Sequence, residues 1–328
     1  MKSLVVVLIV SLAYCARMIA EEIPASALPP QKIIPGQIIF PVEQMERPWG
    51  ELISLNLADR TGKFRRESNG EIVEFSVMPY AELVRYVSLG DLQDFRVGER
   101  AVFRIHENEP GRKLWLTCIQ DELNVMSVHE EYLVVGKIDS DGKRLLCKQE
   151  KLDQSYVREE GIIVQANRET RYWKLGKPAK FSDIKIGQTL RTKTHGVRKG
   201  KVLVAREIFL DDQSLLKLQL EQEEKHVARM LKDGAPGYID KVETEQITLT
   251  LFYEGEEQIK QLKPGSEVRI SPAAIDRKAT AEPITGSVTT LEMRGRSCRV
   301  VIAARASTTM FKPTSLARLW AGNERIVK

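Results

Sequence analysis

The 328-residue sequence predicts a mainly β protein: three tandem small barrels of about five strands each, with one long α-helix between the second and third. Three observations lead there. A turn motif recurs at residues 92–100 (LQDFRVGER), 181–191 (FSDIKIGQTLR) and 261–269 (QLKPGSEVR), so that Gly187 follows Gly98 by 89 residues and Gly265 follows Gly187 by 78. A period that long denotes repeated small domains. Around each copy, short runs alternate apolar and polar residues at period two, the pattern of half-buried antiparallel strands. One segment alone, residues 211–232, departs from this rhythm and is rich in helix formers.

Taken in order, residues 1–15 read as a signal peptide. The apolar run 4–13 (LVVVLIVSLA) follows Lys2 and is too short to span a hydrocarbon core of about 30 Å as a helix. Ala13 and Cys15 supply the small side chains of a cleavage site. Leu12, Ala13, Tyr14 and Cys15 also match a lipoprotein signal in which Cys15 becomes the lipidated first residue, although Tyr14 stands where that signal takes a small one. No other run approaches membrane length. Residues 16–48 carry six prolines between 24 and 48 and read as an extended leader.

The first barrel is expected over residues 49–125. Its strands are read at 51–58 (ELISLNLA), 71–78, 100–106 and 113–120, with a Gly-containing turn at 59–63 and a crossover at 84–94. The second, over 126–211, has strands at 132–139, 161–166, 189–194 and 201–209, and a hairpin turn at Asp141–Gly142. Residues 212–233 form the connecting helix, with Leu216, Leu220, Val227 and Leu231 as its packing stripe, Gly234 as its stop and Pro236 beyond. The third barrel, over 234–306, has strands at 237–242, 246–252 and 267–270 and a hairpin around Gly295. Residues 307–328 are a C-terminal tail holding a short amphipathic helix after Pro313. Gly50, Gly136 and Gly237 are expected at matching places. An open sheet of this size would leave bare edges, and closure removes them.

On these strand runs and turn glycines, the chain resembles tandem OB-like β-barrel repeats of secreted bacterial proteins; SH3-like barrels and small sandwiches share the pattern. The resemblance implies fold alone.

For chemistry the sequence works mainly by exclusion. With 42% hydrophobic and 29% charged residues it is globular in composition, and its net charge of +5 permits acidic partners without requiring them. The four histidines, His106, His129, His195 and His226, form no ligand-spaced pair, and no HExxH, GxSxG, Walker or GxGxxG pattern stands in a fitting context. A non-catalytic protein with no cofactor is therefore expected. The alternative of a periplasmic copper carrier draws on His106, Trp115, Met78 and Met126. Cys118, Cys147 and Cys298 read as buried hydrophobes, with a Cys118–Cys147 bridge left open. The densest charge feature is residues 191–201, where Arg191, Lys193, Arg198, Lys199 and Lys201 are expected to project together from a hairpin tip; this reads as a solvated loop, with binding of an anionic polymer through it as a second alternative function. Aromatic content of 6% and export argue against nucleic acid. The expected protein is thus an exported, periplasmic or extracellular, binding or scaffolding component of the bacterial cell envelope, whose partner is an envelope protein or an anionic polymer.

Overall fold

In a computed structural model, residues 45–107, 114–274 and 278–322 are described. The expected signal peptide, residues 1–15 with Cys15, and nearly all of the expected leader lie outside them. The described chain is dominated by strands in three sheets, each with its own apolar cluster.

The first sheet contains β1 (Trp49–Asn56), β2 (Thr61–Arg66), β3 (Ile72–Arg85), β4 (Ser88–Leu89), β5 (Arg100–Glu107) and β6 (Leu114–Asp121). β1 pairs with β2, β2 with β3, β3 with β6, β6 with β5 and β5 back with β1, so five strands form a ring. Only the β3–β6 pair is parallel. This is the wiring of a small OB-like Greek-key barrel. Its interior is aromatic: Phe64 stacks on Phe103 with centroids 4.1 Å apart, and Phe75 leans on both.

Two features were not legible. Of residues 59–63, read as a turn, the last three are already the start of β2. β3 runs 14 residues, through Pro79 and into the stretch read as a crossover. It bends where the register shifts between Val77 and Glu82, the place at which a proline's missing N–H costs no ladder bond.

The first two barrels are joined by a helix, α1 (Glu122–Val128), capped by Asp121 accepting from the Asn124 N–H. The second sheet follows with β7 (Glu131–Asp139), β8 (Arg144–Lys151), β9 (Val157–Gln165), β10 (Arg171–Lys174), β11 (Lys177–Pro178), β12 (Thr189–Lys199) and β13 (Val202–Phe209). Its ring β7-β8-β9-β13-β12 repeats the first. β9 and β10 both lie parallel to β13, so together they do what bent β3 does alone. The hairpin β10–β11 then corresponds to β3–β4.

α2 (Asp212–Asp233) comes next, capped by Asp211 and ended by Gly234 at φ +78°. It packs by the face opposite to the one expected. Ser214, Leu215, Gln222, His226 and Met230 are buried, whereas Leu216, Leu220 and Leu231 are about half exposed.

The third sheet is built from β14 (Ala235–Val242), β15 (Gln246–Leu251), β16 (Glu267–Ala273), β17 (Ile284–Arg294), β18 (Ser297–Ala304) and β19 (Leu316–Ala321), with α3 (Glu256–Ile259) between β15 and β16. It is a closed barrel in the order β14-β15-β18-β17-β16-β19, and every pair is antiparallel. The third unit is therefore not wired like the first two. Residues 316–321, expected within a helical tail, are the strand that closes it. Phe311, Ala317 and Leu319 join its core.

The glycine turn nevertheless recurs with the same hydrogen bonds, and it occurs four times. Gly98 donates to the Leu52 carbonyl while Leu52 donates to Glu99; Gly187 and Gln188 do the same with Val135, and Gly265 and Ser266 with Val288. The fourth copy is Thr314 and Ser315 with Ile239. Each receiving strand has a bulge at that point. Phe95, Ile184, Leu262 and Phe311 are the buried residues that open the four turns. The first two sheets hold one copy each. The third holds two, and exchanging β14, β15, β16 with β17, β18, β19 leaves its ring of pairings unchanged.

Gly50, Gly237 and Gly286 lie three residues before their bulges, where a Cβ would meet neighbouring backbone within 3 Å. Gly136 instead occupies the bulge itself, so it does not match Gly50 as expected.

Candidate functional site

The chemistry-bearing side chains gather where the three units meet. Between the first and second barrels, Lys193 on β12 is wholly buried, with Nζ 3.4 Å from Glu99, 3.6 Å from Asp121 and 4.6 Å from the centre of the Tyr86 ring. Arg85 reaches Glu99 at 2.8 Å. The Tyr86 hydroxyl donates to Glu207 at 2.7 Å, and Arg171 holds the other oxygen of that carboxylate at 2.8 Å. Burial by itself would raise the Glu99 pKa. Lys193 and Arg85 outweigh it, and the carboxyl is held below the usual range.

Beside this network, Arg100 lies over the Trp49 ring and pairs with both Glu67 and Glu122. Glu122 also accepts from the Thr194 N–H and hydroxyl. It is enclosed deeply enough that burial keeps its pKa above the usual range despite Arg100. A crevice of about 260 Å³ opens here, walled by Trp49, Arg100, Arg158, Glu159 and Arg198 over a floor of Val125, Met126 and Leu203. Its guanidinium groups are engaged: Arg198 grips Glu159 with two bonds, and Arg158 meets Glu131 at 3.0 Å.

The contacts to the third barrel follow the same plan. Arg60 is buried over the Phe252 ring, with its guanidinium 2.6 Å from Glu254 and donating to the Met78 carbonyl. Asp94 accepts two bonds from Arg229 and one from Gln222, both on α2. Burial would raise the Asp94 pKa, but Arg229 reverses the sign and lowers it. His226 bonds the Glu254 carbonyl at 2.8 Å.

These contacts change the picture of residues 191–201. Arg191 stacks on Tyr132 and pairs with Asp212 at 2.5 Å, Lys193 is sealed in the first junction, and Arg198 pairs through its guanidinium with Glu159 while its backbone N–H donates to Glu67. Only Lys199 and Lys201 are exposed, and Lys201 donates to the Glu160 carbonyl. The five cations do not form one solvent-facing tip. The carboxylates that hold three of them lie far away in sequence, so residue spacing carried no sign of them.

The residues considered for copper are also divided. His106, Met78 and Trp115 are buried in the first barrel, while Met126 belongs to the second cluster. Burial pushes the His106 imidazole down to about 4. Among the described residues, no group of three or more His, Cys, Asp or Glu side chains is arranged to hold a metal ion. Cys118 and Cys147 lie in different barrels and are free, as is Cys298; burial pushes each thiol up to about 12. No helix among the described residues is long and apolar enough to cross a membrane.

Net charge is divided unevenly among the units. Residues 131–210 contain 18 Lys and Arg against 10 Asp and Glu, a net +8, whereas residues 49–130 contain 10 against 14, a net −4.

No protein-family model matches the chain, and no curated protein matches it. Among solved structures it is similar to one described as "drosophila Unr CSD456", at 12% identity over 80% of this chain and 98% of that one, with a TM-score of 0.18. So loose a superposition carries no weight, and the OB-like character of the first two units rests on their strand order.

Proposed function

We propose that this chain is a non-catalytic, exported binding or scaffolding protein of the bacterial cell envelope, whose β units are held in a fixed arrangement to present surfaces to a partner. One observation carries the reading: charged side chains are buried at the contacts between units, with Lys193, Arg60 and Arg229 each ion-paired to a neighbouring unit. Buried ion pairs add little net stability, because desolvation consumes most of their attraction. They do penalise every arrangement in which a partner is missing. Charges seated between 2.6 and 3.6 Å from their partners favour one orientation.

Small-angle scattering of the folded protein tests the fixed arrangement. A profile matching one conformation is expected, and a broadened, chain-like profile would overturn it. Cell fractionation tests export: recovery of full-length protein with residues 1–15 intact in the cytosol would refute that part.

A further inference from the structure

We propose that the hairpin β10–β11 and the turn that follows it are the docking strip of this protein for an acidic polysaccharide. The inference rests on the binding role proposed above and names the surface and the partner chemistry.

Residues 170–187 contain Arg171, Lys174, Lys177, Lys180 and Lys185 and a single acid, Asp183. Asp183 is half-buried and accepts from the backbone N–H of Lys180 at the surface. Arg171 is engaged by Glu207. The four lysines are exposed, and among the described residues none of them forms an ion pair. They stand on the one unit whose net charge exceeds that of the whole chain.

Two local choices here run against stability. Lys174 and Lys177 are direct register partners across a two-residue turn, which places their Cβ atoms about 5 Å apart and sets like charges against each other. The turn between them puts Leu175 at φ +50° with its side chain exposed, where Asn, Asp or Gly is the usual occupant. Lys217 of α2 adds a third ammonium to the same turn, donating to the Gly176 carbonyl at 2.9 Å.

The first barrel supplies an internal contrast. Its equivalent turn, Tyr86–Val87, has the same left-handed backbone but is packed against the second barrel and α2, and the flanking Arg85 is neutralised by Glu99. The same hairpin is thus used for an internal contact in one unit. In the next its turn backbone is tied to α2, Leu175 N–H donating to Asp211 and Gly176 N–H to Ser214, while the lysine side chains around it stay exposed.

Lysine, a strongly hydrated point charge on a flexible stem, suits a diffuse row of acid groups better than the bidentate phosphate geometry that favours arginine. Base stacking lacks a platform, since Tyr172, Trp173 and Phe181 are half-buried against apolar clusters. Leu175 alone offers too little apolar surface for lasting insertion into a bilayer.

The test is salt-dependent binding of the full chain to heparin as a sulfated-polysaccharide probe. Its comparators are single-stranded DNA and vesicles containing anionic lipid. The hairpin variant Lys174→Gln/Lys177→Gln/Lys180→Gln/Lys185→Gln is compared with the charge-matched Lys137→Gln/Lys143→Gln/Lys225→Gln/Lys232→Gln, whose four side chains are equally exposed. We expect at least tenfold weaker heparin binding in the hairpin variant. We also expect a log–log salt slope shallower by about three to four, roughly one per contact removed, with little change in the control. Equal losses in the two variants, no heparin binding by the parent, or tighter binding to DNA or vesicles would each overturn the proposal. Scattering separates this from the scaffold reading: failure of the heparin test with an unchanged one-conformation profile removes only the docking strip.

Discussion

Replacing Lys193 by Met probes how the first two barrels hold each other. Met keeps most of the side-chain volume and removes the charge, so little cavity cost enters. At the observed 3.4 and 3.6 Å, each ion pair is worth about 5 kcal/mol at an effective dielectric constant of about 20. Against this stands the several kcal/mol needed to desolvate the ammonium. Truncating one member of a buried pair costs about 3–5 kcal/mol, chiefly because its acid is left buried without it. Here the acids retain other partners: Glu99 keeps Arg85, and Asp121 keeps the N–H groups of Tyr86 and Asn124. The low end, about 3 kcal/mol, is therefore expected. Urea unfolding followed by tryptophan fluorescence reads it, since Trp49 and Trp173 both flank this junction. In a double-mutant cycle with Glu99→Gln, the two losses should fall short of additivity by at least about 1 kcal/mol. A Lys193→Met protein within about 0.5 kcal/mol of its parent, or strictly additive losses, would refute the idea that this charge locks the interface.

Two further outcomes are expected. Gly98 and Gly187 share a left-handed backbone, at φ +86° and +82°, but a Cβ on Gly98 would fall 2.1 Å from His195 Cε1 whereas one on Gly187 meets nothing within 4 Å. Gly187→Ala should cost about 1 kcal/mol by conformation alone and Gly98→Ala about 2, the difference disappearing in Gly98→Ala/His195→Ala; equal single losses would contradict the contact. With acid, stability should fall in two stages. His106, whose pKa is depressed in the fold, contributes stability that is complete above its unfolded value of about 6.5 and is lost as pH falls towards about 4. Glu99 and Asp94, also depressed, contribute above about 4 and lose it below; Glu122, raised by burial, runs the other way. Stability that stays flat between pH 7 and 4, or a profile unaltered by His106→Leu, would count against this.

The parts of the fold that could be read from sequence were those set by local pattern. A strand such as β15 alternates cleanly in sequence, and three turns carry glycine where the backbone is left-handed. The fourth turn escaped notice because Thr314 adopts φ +66° in glycine's place. β2 was missed because Gly62 looks like a turn residue, although it faces Phe75 and Ser54 across the sheet. α2 misled for a different reason. Its leucines form an amphipathic stripe, but the barrels present Asp94 and the Glu254 carbonyl, so the face bearing Gln222, His226 and Arg229 was drawn inward. Residues 191–201 misled on the same grounds as a single solvent-facing tip. The charges of Arg191, Lys193 and Arg198 are answered by Asp212, Glu99, Asp121 and Glu159, and pairing across tens of residues leaves no periodic trace.

The exchangeable pairings of the third barrel mean that this unit is, in effect, a dimer written into one chain. Each half offers a bulged hairpin and a lone third strand, and neither can satisfy its own edges. The lone strand of one half lies against the hairpin of the other. Two copies of a single half would present complementary edges to each other.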